Sequence, residues 1–318
     1  MKKQKSAFII GITGQDGCYL SLYLLKKSYK IIGFTRSLSK KNLKNLAKTN
    51  LEKKIILKKY SDNNYKIIFK QLKIKRPDEI YYFAGQSSVG LSYNLPLETY
   101  SSNISLLFRL LEYLRNNQLN TKIYNSSSTD CFGYSKNFLK KETDEFNPLS
   151  PYGRAKSFAF WLTKFYRENY KINAKSGILS NHESPLRNNN FVFKKVVNFL
   201  KNRNKNDKLH LGNVSVYRDW GWAPEFSSAI YKINNSKHQK DYVVGTGKMF
   251  LLKDMIYKMF ELSNVEKKFL KFNNKTFSRP SEIKKICSNP KLIKKELNWS
   301  AKTSGNNLIK KLLSEKII

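Results

Sequence analysis

Short apolar runs alternate with segments of helical spacing through the first half of the chain. Residues 7–11 (AFIIG) form an apolar run ending on glycine, 19–29 repeat apolar side chains at helical intervals, and 30–35 (KIIGFT) form a second run. An apolar run, a glycine turn, a helix and another apolar run predict a βαβ unit. The alternation continues with strand 55–59, helix 64–75, strand 79–84, helix 99–116, strand 122–126, helix 152–169 and strand 174–179. Strands alternating with helices predict an α/β protein of Rossmann type, a doubly wound parallel sheet covered on both faces. Pro77 marks the end of the helix before strand 79–84, since it has no N–H to continue the ladder.

Near residue 180 the rhythm breaks. Segment 181–191 is polar and turn-rich, 191–203 is amphipathic and helical, and 209–225 mixes Gly, Pro and aromatics in the manner of loops around a site. Helix 251–262, a strand-like 267–272 and helix 290–297 then read as a smaller, mixed cap. No repeat or low-complexity linker separates the parts. The expected division is a nucleotide-binding domain over 1–180, to which segments near 212–248 return, and a cap over 181–318.

Composition narrows the class. With 318 residues, 40% hydrophobic and 26% charged, the chain suits a soluble protein with one large domain or two lobes. No apolar run reaches the ~18–20 residues of a membrane span. Lys2-Lys3-Gln4-Lys5 before Ala7-Phe8-Ile9-Ile10 imitates a signal peptide, but Gly11, Thr13 and Gln15-Asp16 break the apolar part and no cleavage site follows. It reads as a buried first strand. Cys18, Cys131 and Cys287 stand far apart, and His182, His210 and His238 show no ligand spacing. This argues against a disulfide framework and a metal centre, and fits a reducing cytoplasm. The net charge of +37 raises the question of nucleic acid. The lysines are spread along the whole chain, without a stripe interleaved with aromatics. Neither a nucleic-acid nor a membrane partner is expected; the excess reads as a compositional bias whose positive field would help to gather an anionic substrate.

Three motifs carry chemistry. Gly11-Ile12-Thr13-Gly14-Gln15-Asp16-Gly17 follows a strand and opens a helix. Its glycines permit a tight turn, close backbone approach to a pyrophosphate and close helix–strand packing, while the helix N-terminus offers amide donors. Arg36 ends the second strand where an NAD-selective protein would carry an acid. A cation there suits the 2′-phosphate of NADP; the alternative is a plain surface charge. Asp62, after the third strand, could accept a hydrogen bond from an adenine amine. The second motif is Tyr152-Gly153-Arg154-Ala155-Lys156, in which positions i and i+4 share a helix face. An ammonium near the phenol favours its ionised form, which makes Tyr152 a base for a sugar hydroxyl and leaves Lys156 free to hold the nicotinamide ribose. The third, Ser126-Ser127-Ser128-Thr129-Asp130, ends a strand at the sheet edge where ligands bind. Ser128 could hydrogen-bond the substrate's O4, and Asp130 is a carboxylate within reach of a ring proton.

Taken in order, these motifs resemble the extended short-chain dehydrogenase/reductases and, more narrowly, the GDP-mannose 4,6-dehydratase family. The resemblance runs over nearly the whole chain and adds Ala84-Gly85-Gln86-Ser87-Ser88-Val89, Asn181-His182-Glu183-Ser184-Pro185, Leu211-Gly212-Asn213, Arg218-Asp219-Trp220-Gly221 and Arg279-Pro280-Ser281-Glu282. It implies that Ala84, Gln86 and His182 join the glycine turn around one NADP. It places Ser88, Asn181, Glu183, Lys195, Leu211, Gly212, Asn213 and Arg218 around a GDP-sugar, with Arg279 and Glu282 on its nucleotide or ribose. It also implies a homodimer or homotetramer, with the basic 36–50 loop as a possible contact. The implied reaction oxidises C4 while Tyr152 removes the O4 proton, loses water across C5 and C6 with a carboxylate taking the C5 proton, and returns the hydride to C6. Several positions depart from the family. Ser128 and Asp130 replace Thr and Glu, Leu186 then Arg187 follow Pro185, and Trp222-Ala223-Pro224-Glu225 replaces a His-Ala-x-Asp run; loops between 36 and 60 and around 185–190 are shorter. Asp130 keeps two alternatives open: an epimerase or reductase of the same fold, or a dehydratase acting on another manno-configured sugar such as a heptose.

Overall fold

The computed structural model describes residues 4–61, 64–272 and 280–317. β1 (Ser6–Ile10) runs through the glycine turn into α1 (Gln15–Leu25), followed by β2 (Lys30–Thr35), α2 (Lys40–Lys48), β3 (Ile56–Lys59), α3 (Lys66–Lys75) and β4 (Glu79–Tyr82). A short α4 (Val89–Asn94), the long α5 (Pro96–Asn116), β5 (Lys122–Ser128), β6 (Leu139–Lys140), α6 (Pro151–Tyr170) and β7 (Ala174–Leu179) come next. The second half is finer-grained: β8 (Asn181–Glu183), α7 (Val192–Asn202), β9 (Leu209–Leu211), β10 (Tyr217–Arg218), β11 (Trp220–Trp222), α8 (Ala223–Asn235) and β12 (Tyr242–Val244). It closes with β13 (Phe250–Leu251), α9 (Leu252–Leu262), β14 (Leu270–Phe272), β15 (Lys285–Ser288), α10 (Lys291–Leu297) and α11 (Gly305–Ser314).

Seven strands form one sheet in the order β12-β7-β5-β4-β1-β2-β3, and each neighbouring pair is parallel. Such a sheet must be covered on both faces. On one side Leu20 and Leu24 of α1, Leu46 of α2 and Ile230 and Ile233 of α8 pack with Ile9, Tyr81 and Tyr124. On the other, α3, α5 and α6 bring Leu72, Leu107, Leu111 and Ala159 onto Phe8, Ile80 and Ile123. The fold is therefore the doubly wound Rossmann sheet that the alternation predicts. No helix of the described residues is long and apolar enough to cross a membrane.

Two features shape the cap. Its four-stranded sheet, β13-β10-β15-β6, takes β6 from the first half of the chain. Its core is a separate cluster in which Phe193 and Val196 of α7, Ile256 and Met259 of α9 and Ile309 of α11 close over Trp220 and Trp222. Meanwhile β12 returns to the large sheet beside β7, with Val243 opposite Ile178.

Some elements differ from the pattern reading. The first helix occupies Gln15–Leu25 instead of 19–29, because it starts within the glycine turn and ends before Ser28, whose φ of 62° is left-handed. The 36–50 segment is not a loop. Ser39 caps α2 by accepting a hydrogen bond from the Asn42 N–H at 3.4 Å, and Leu46 is fully buried. Within 209–225 lie three short strands and the first turn of α8, which opens with Pro224 in its first positions, where a missing N–H costs nothing.

Candidate active site

The turn between β1 and α1 is shaped by what its glycines exclude. Gly11 has φ +90°, and a Cβ there would stand 2.9 Å from the Ala84 nitrogen. At Gly17 a Cβ would meet the Gly11 carbonyl oxygen at 2.6 Å, so any side chain would push α1 off the strand. Gly14 differs: a Cβ there would touch only the Gly11 oxygen at 3.3 Å, and the residue is exposed. Its outer face is bare backbone at a helix N-terminus, which fits the approach of a diphosphate.

Residues of this turn also bind β8. Gln15 donates to the His182 carbonyl at 3.1 Å and accepts from the Ser184 hydroxyl at 2.7 Å. Asp16 Oδ1 lies 3.0 Å from His182 Nε2, while His182 Nδ1 lies 2.7 Å from the Ser180 carbonyl. A carbonyl only accepts, so Nδ1 carries a proton. Burial alone would raise the Asp16 carboxyl, but His182, with help from Arg187, holds it at about 2. Burial likewise opposes charge on His182, and Asp16 overcomes it and raises the imidazole.

A cleft of about 880 Å3 opens from this turn across the carboxyl ends of the strands to the cap. On its floor Tyr152, in the first turn of α6, is 8% exposed and Lys156 is 7% exposed. Lys156 Nζ donates to the Ser126 carbonyl at 2.9 Å and stands 5.9 Å from the Tyr152 ring centroid. Burial lowers Lys156 to about 8, with Cys131 and Asp16 pulling the other way. The phenol behaves unlike the expectation from its neighbouring ammonium. Burial holds Tyr152 above its ordinary value, the Asp130 charge adds to this, and the Ser128 hydroxyl and Arg187 oppose it. The desolvation of the phenol outweighs the Ser128 hydroxyl and the Arg187 guanidinium. Ser128 in turn donates to Asp130 Oδ2 at 3.1 Å and accepts from the Asp130 N–H at 3.2 Å. Phenol, hydroxyl and carboxylate thus form one cluster at the end of β5.

The cleft gathers Asp16, Ser88, Ser128, Asp130, Tyr152, Lys156, Asn181, His182, Glu183, Lys195, Leu211, Gly212, Asn213, Arg218 and Glu282. Within it, Arg218 is bound to Glu282 at 2.9 Å, and Lys195 and Asn213 are exposed. Other anticipated residues stand behind or beside it. Gln86 folds the turn before α4 through a bond to the Ser88 carbonyl at 2.9 Å, and Ala84 packs behind Gly11. The Thr13 carbonyl accepts from Asn45 at 3.1 Å, and Arg36 is exposed at the end of β2. Asp62 and Arg279 lie outside the described residues.

Arg187 is a cleft residue that the motif reading left out of the site. Its guanidinium lies 3.5 Å from Glu183 Oε2 and 3.6 Å from the Phe191 ring centroid. Glu183 is 2% exposed, and burial raises its carboxyl against the pull of Arg187 and His182. The cue was its place after Leu186, which is buried in the sheet core and leaves the next residue to supply the cation. Among the described residues no group of three His, Cys, Asp or Glu side chains is placed to hold a metal ion.

Comparison with known proteins agrees with this fold. The fold is similar to a dTDP-glucose 4,6-dehydratase from Bacillus anthracis solved with NAD, at TM-score 0.84 and 20% identity over 97% of this chain and 95% of that one. It is similar to a UDP-glucose 4-epimerase from Thermotoga maritima solved with UDP-glucose, at TM-score 0.86 and 20% identity over 98% of each chain. In sequence, GDP-mannose 4,6 dehydratase 1 of Arabidopsis thaliana is 33% identical over 330 residues, covering 100% of this chain and 91% of the relative. The family model described as GDP-mannose 4,6 dehydratase matches residues 8–312, and the chain belongs to that family.

Proposed function

We propose that this protein is a lyase that converts GDP-mannose to its 4-keto-6-deoxy derivative, using a nicotinamide dinucleotide, NADP, held on the glycine turn. The observation that carries the reading is the Tyr152–Ser128–Asp130 cluster, placed over Lys156 on the floor of the cleft in a member of this family. The bare backbone of Gly14 fits a dinucleotide's phosphates, and Arg36 is the cation for a ribose 2′-phosphate. When bound, the nicotinamide supplies reversible hydride storage, so the overall change is loss of water without net oxidation.

The chain's own groups handle protons and anchoring. Tyr152 Oη takes the proton of the C4 hydroxyl, which Ser128 orients. Burial and the Asp130 charge keep the phenol protonated in the free protein; positive charge brought close to it acts in the opposite direction. Asp130 takes the C5 proton. Lys195 and Arg218 hold the diphosphate, and Glu282 fixes Arg218 while facing the nucleotide end. Most of residues 1–180, with α8, β12 and α10, makes the cofactor unit, while β6 joins the later segments in the substrate cap. Self-association into a dimer or tetramer belongs to the same reading, with the exposed Phe108, Trp161 and Phe165 of α5 and α6 as its apolar face.

Incubating the protein with GDP-mannose and NADP should give a carbonyl-bearing product lighter by one water, with no net change in nicotinamide absorbance. Recovery of intact GDP-mannose would overturn the substrate. A second reading, an epimerase or reductase, is favoured by one observation: the short Asp130 arm is tied back to Ser128. Net consumption of reduced or oxidised cofactor during turnover would decide for a reductase, and an epimeric sugar of unchanged mass for an epimerase.

A further inference from the structure

Three segments distant in sequence meet at one hydroxyl on the wall of the cleft. Tyr93, on α4, places its Oη 2.7 Å from Ser281 Oγ and 3.3 Å from the Leu149 carbonyl. Ser281 Oγ lies 3.0 Å from the same Leu149 carbonyl. Each hydroxyl has one proton, so one of the two donates to the other and the second proton goes to the Leu149 carbonyl; in either order Tyr93, Ser281 and Leu149 are tied together.

Each segment carries a residue that faces the cleft. α4 is capped by Ser88, whose hydroxyl accepts from the Leu91 N–H at 3.3 Å. Leu149 precedes Ser150, which caps α6 by accepting from the Gly153 N–H at 3.0 Å and thereby sets the helix turn that presents Tyr152. Ser281 precedes Glu282, the partner of Arg218. Ser88, Tyr152 and Glu282 line the same cleft, as does Tyr93 itself. The proton chemistry of Tyr152 and Asp130 needs nothing from the Tyr93 hydroxyl. The large sheet has its own core, so these part-buried bonds matter little to whether the chain folds.

We propose that Tyr93 and Ser281 are positioning residues, a clasp that locks the segment holding the nucleotide end of the substrate to the start of the helix that presents Tyr152. The proposal rests on the sugar-nucleotide reading of the cleft. Filling the nucleotide end fixes the 280–282 segment through Arg218 and Glu282, and the clasp passes that fixation to α6. Without the Tyr93 hydroxyl the three segments keep their apolar packing but lose the polar tie that sets their spacing, and both the hold on the nucleotide and the alignment of Tyr152 suffer.

Tyr93→Phe keeps the ring and removes only the hydroxyl; Ser281→Ala removes the relay. Each variant should raise KM for GDP-mannose about five-fold, the size of one neutral hydrogen bond, and lower kcat by a similar factor. NADP affinity should be unchanged and Tm should stay within about 2 °C of the parent. Because both act through one chain of bonds, the double variant should be no worse than either single one. Kinetics within two-fold of the parent, or effects that multiply in the double variant, would overturn the clasp, as would a fall in Tm without a kinetic change. If the parent protein leaves GDP-mannose untouched, the activity reading fails separately. The clasp is then judged by calorimetry with GDP: five-fold weaker binding in Tyr93→Phe supports it, and equal binding sinks it.

Discussion

At the cofactor end of the cleft, Gln15, Asp16, His182 and Ser184 commit their polar atoms to one another, whereas at the sugar-nucleotide end Lys195 and Asn213 reach into it as exposed side chains. The first region is set before any ligand arrives, since its bonds join α1 to β8 across more than half the chain. The second owes its shape to short strands, β9 and β10, and to a segment anchored through Arg218 and Glu282. A pre-formed end loses little freedom on binding, while an open one loses side-chain entropy as it closes on its ligand. On the function proposed above, the contrast makes the cofactor end a resident's seat and the other end a station for a molecule that comes and goes.

Changes at the junction of the two regions should have the largest effect. Tyr152→Phe should lower kcat by about 10³-fold with little change in KM, within the range for losing a general base. Steady-state kinetics with GDP-mannose check this, and a variant retaining a tenth of the parent kcat would displace Tyr152 from its role. Arg218→Lys acts at the open end alone. It should raise KM about ten-fold while kcat holds, because an ammonium cannot reproduce a guanidinium's fork; a loss confined to kcat would contradict the division.

The last effect is expected at the seat, and it appears in stability instead of kinetics. Asp16 titrates at about 2, below an ordinary carboxyl, so its contribution is complete above pH ~4 and is lost as pH falls through that value. His182 is raised, so its contribution is complete below pH ~6.5 and is lost as pH rises through its folded value. Asp16→Asn should therefore cost about 2 kcal/mol near pH 5–6, several degrees in Tm, and little at pH 2. Thermal melts across pH check the window; a difference independent of pH would mean that packing, not the ion pair, holds α1 to β8.

Much of this contrast was legible in the residues. Gly11, Gly14 and Gly17 announced the turn, because only glycine tolerates the contacts at Gly11 and Gly17 and leaves the backbone bare at Gly14, and Tyr152 with Lys156 announced the floor. The open end was harder to read. β9, β10 and β15 are two to four residues long, too short for any periodicity to show. α8 was hidden because its apolar Phe226, Ala229, Ile230 and Ile233 follow an aromatic, proline-bearing stretch that reads as loop. α2 was hidden by its lysines, which occupy its exposed face and leave Leu46 as its one fully buried apolar side chain. The balance on the Tyr152 phenol lay beyond spacing altogether. Residue intervals place an ammonium nearby but say nothing about how much water the ring has lost.

The pairing of β6 with β15 has a consequence for synthesis. Leu139 lies opposite Cys287, and Val243 of β12 opposite Ile178, so strands that emerge early wait for partners that emerge much later. Until residue 244 has left the ribosome the edge of β7 is unpaired, and until about residue 288 the β6 segment has no sheet to join. A nascent chain of this kind carries open strand edges through much of its elongation, a condition that favours capture by other chains over slow completion. With 60 lysines and arginines against 23 acids, mutual repulsion between nascent copies acts throughout that interval, when the fold cannot yet protect itself.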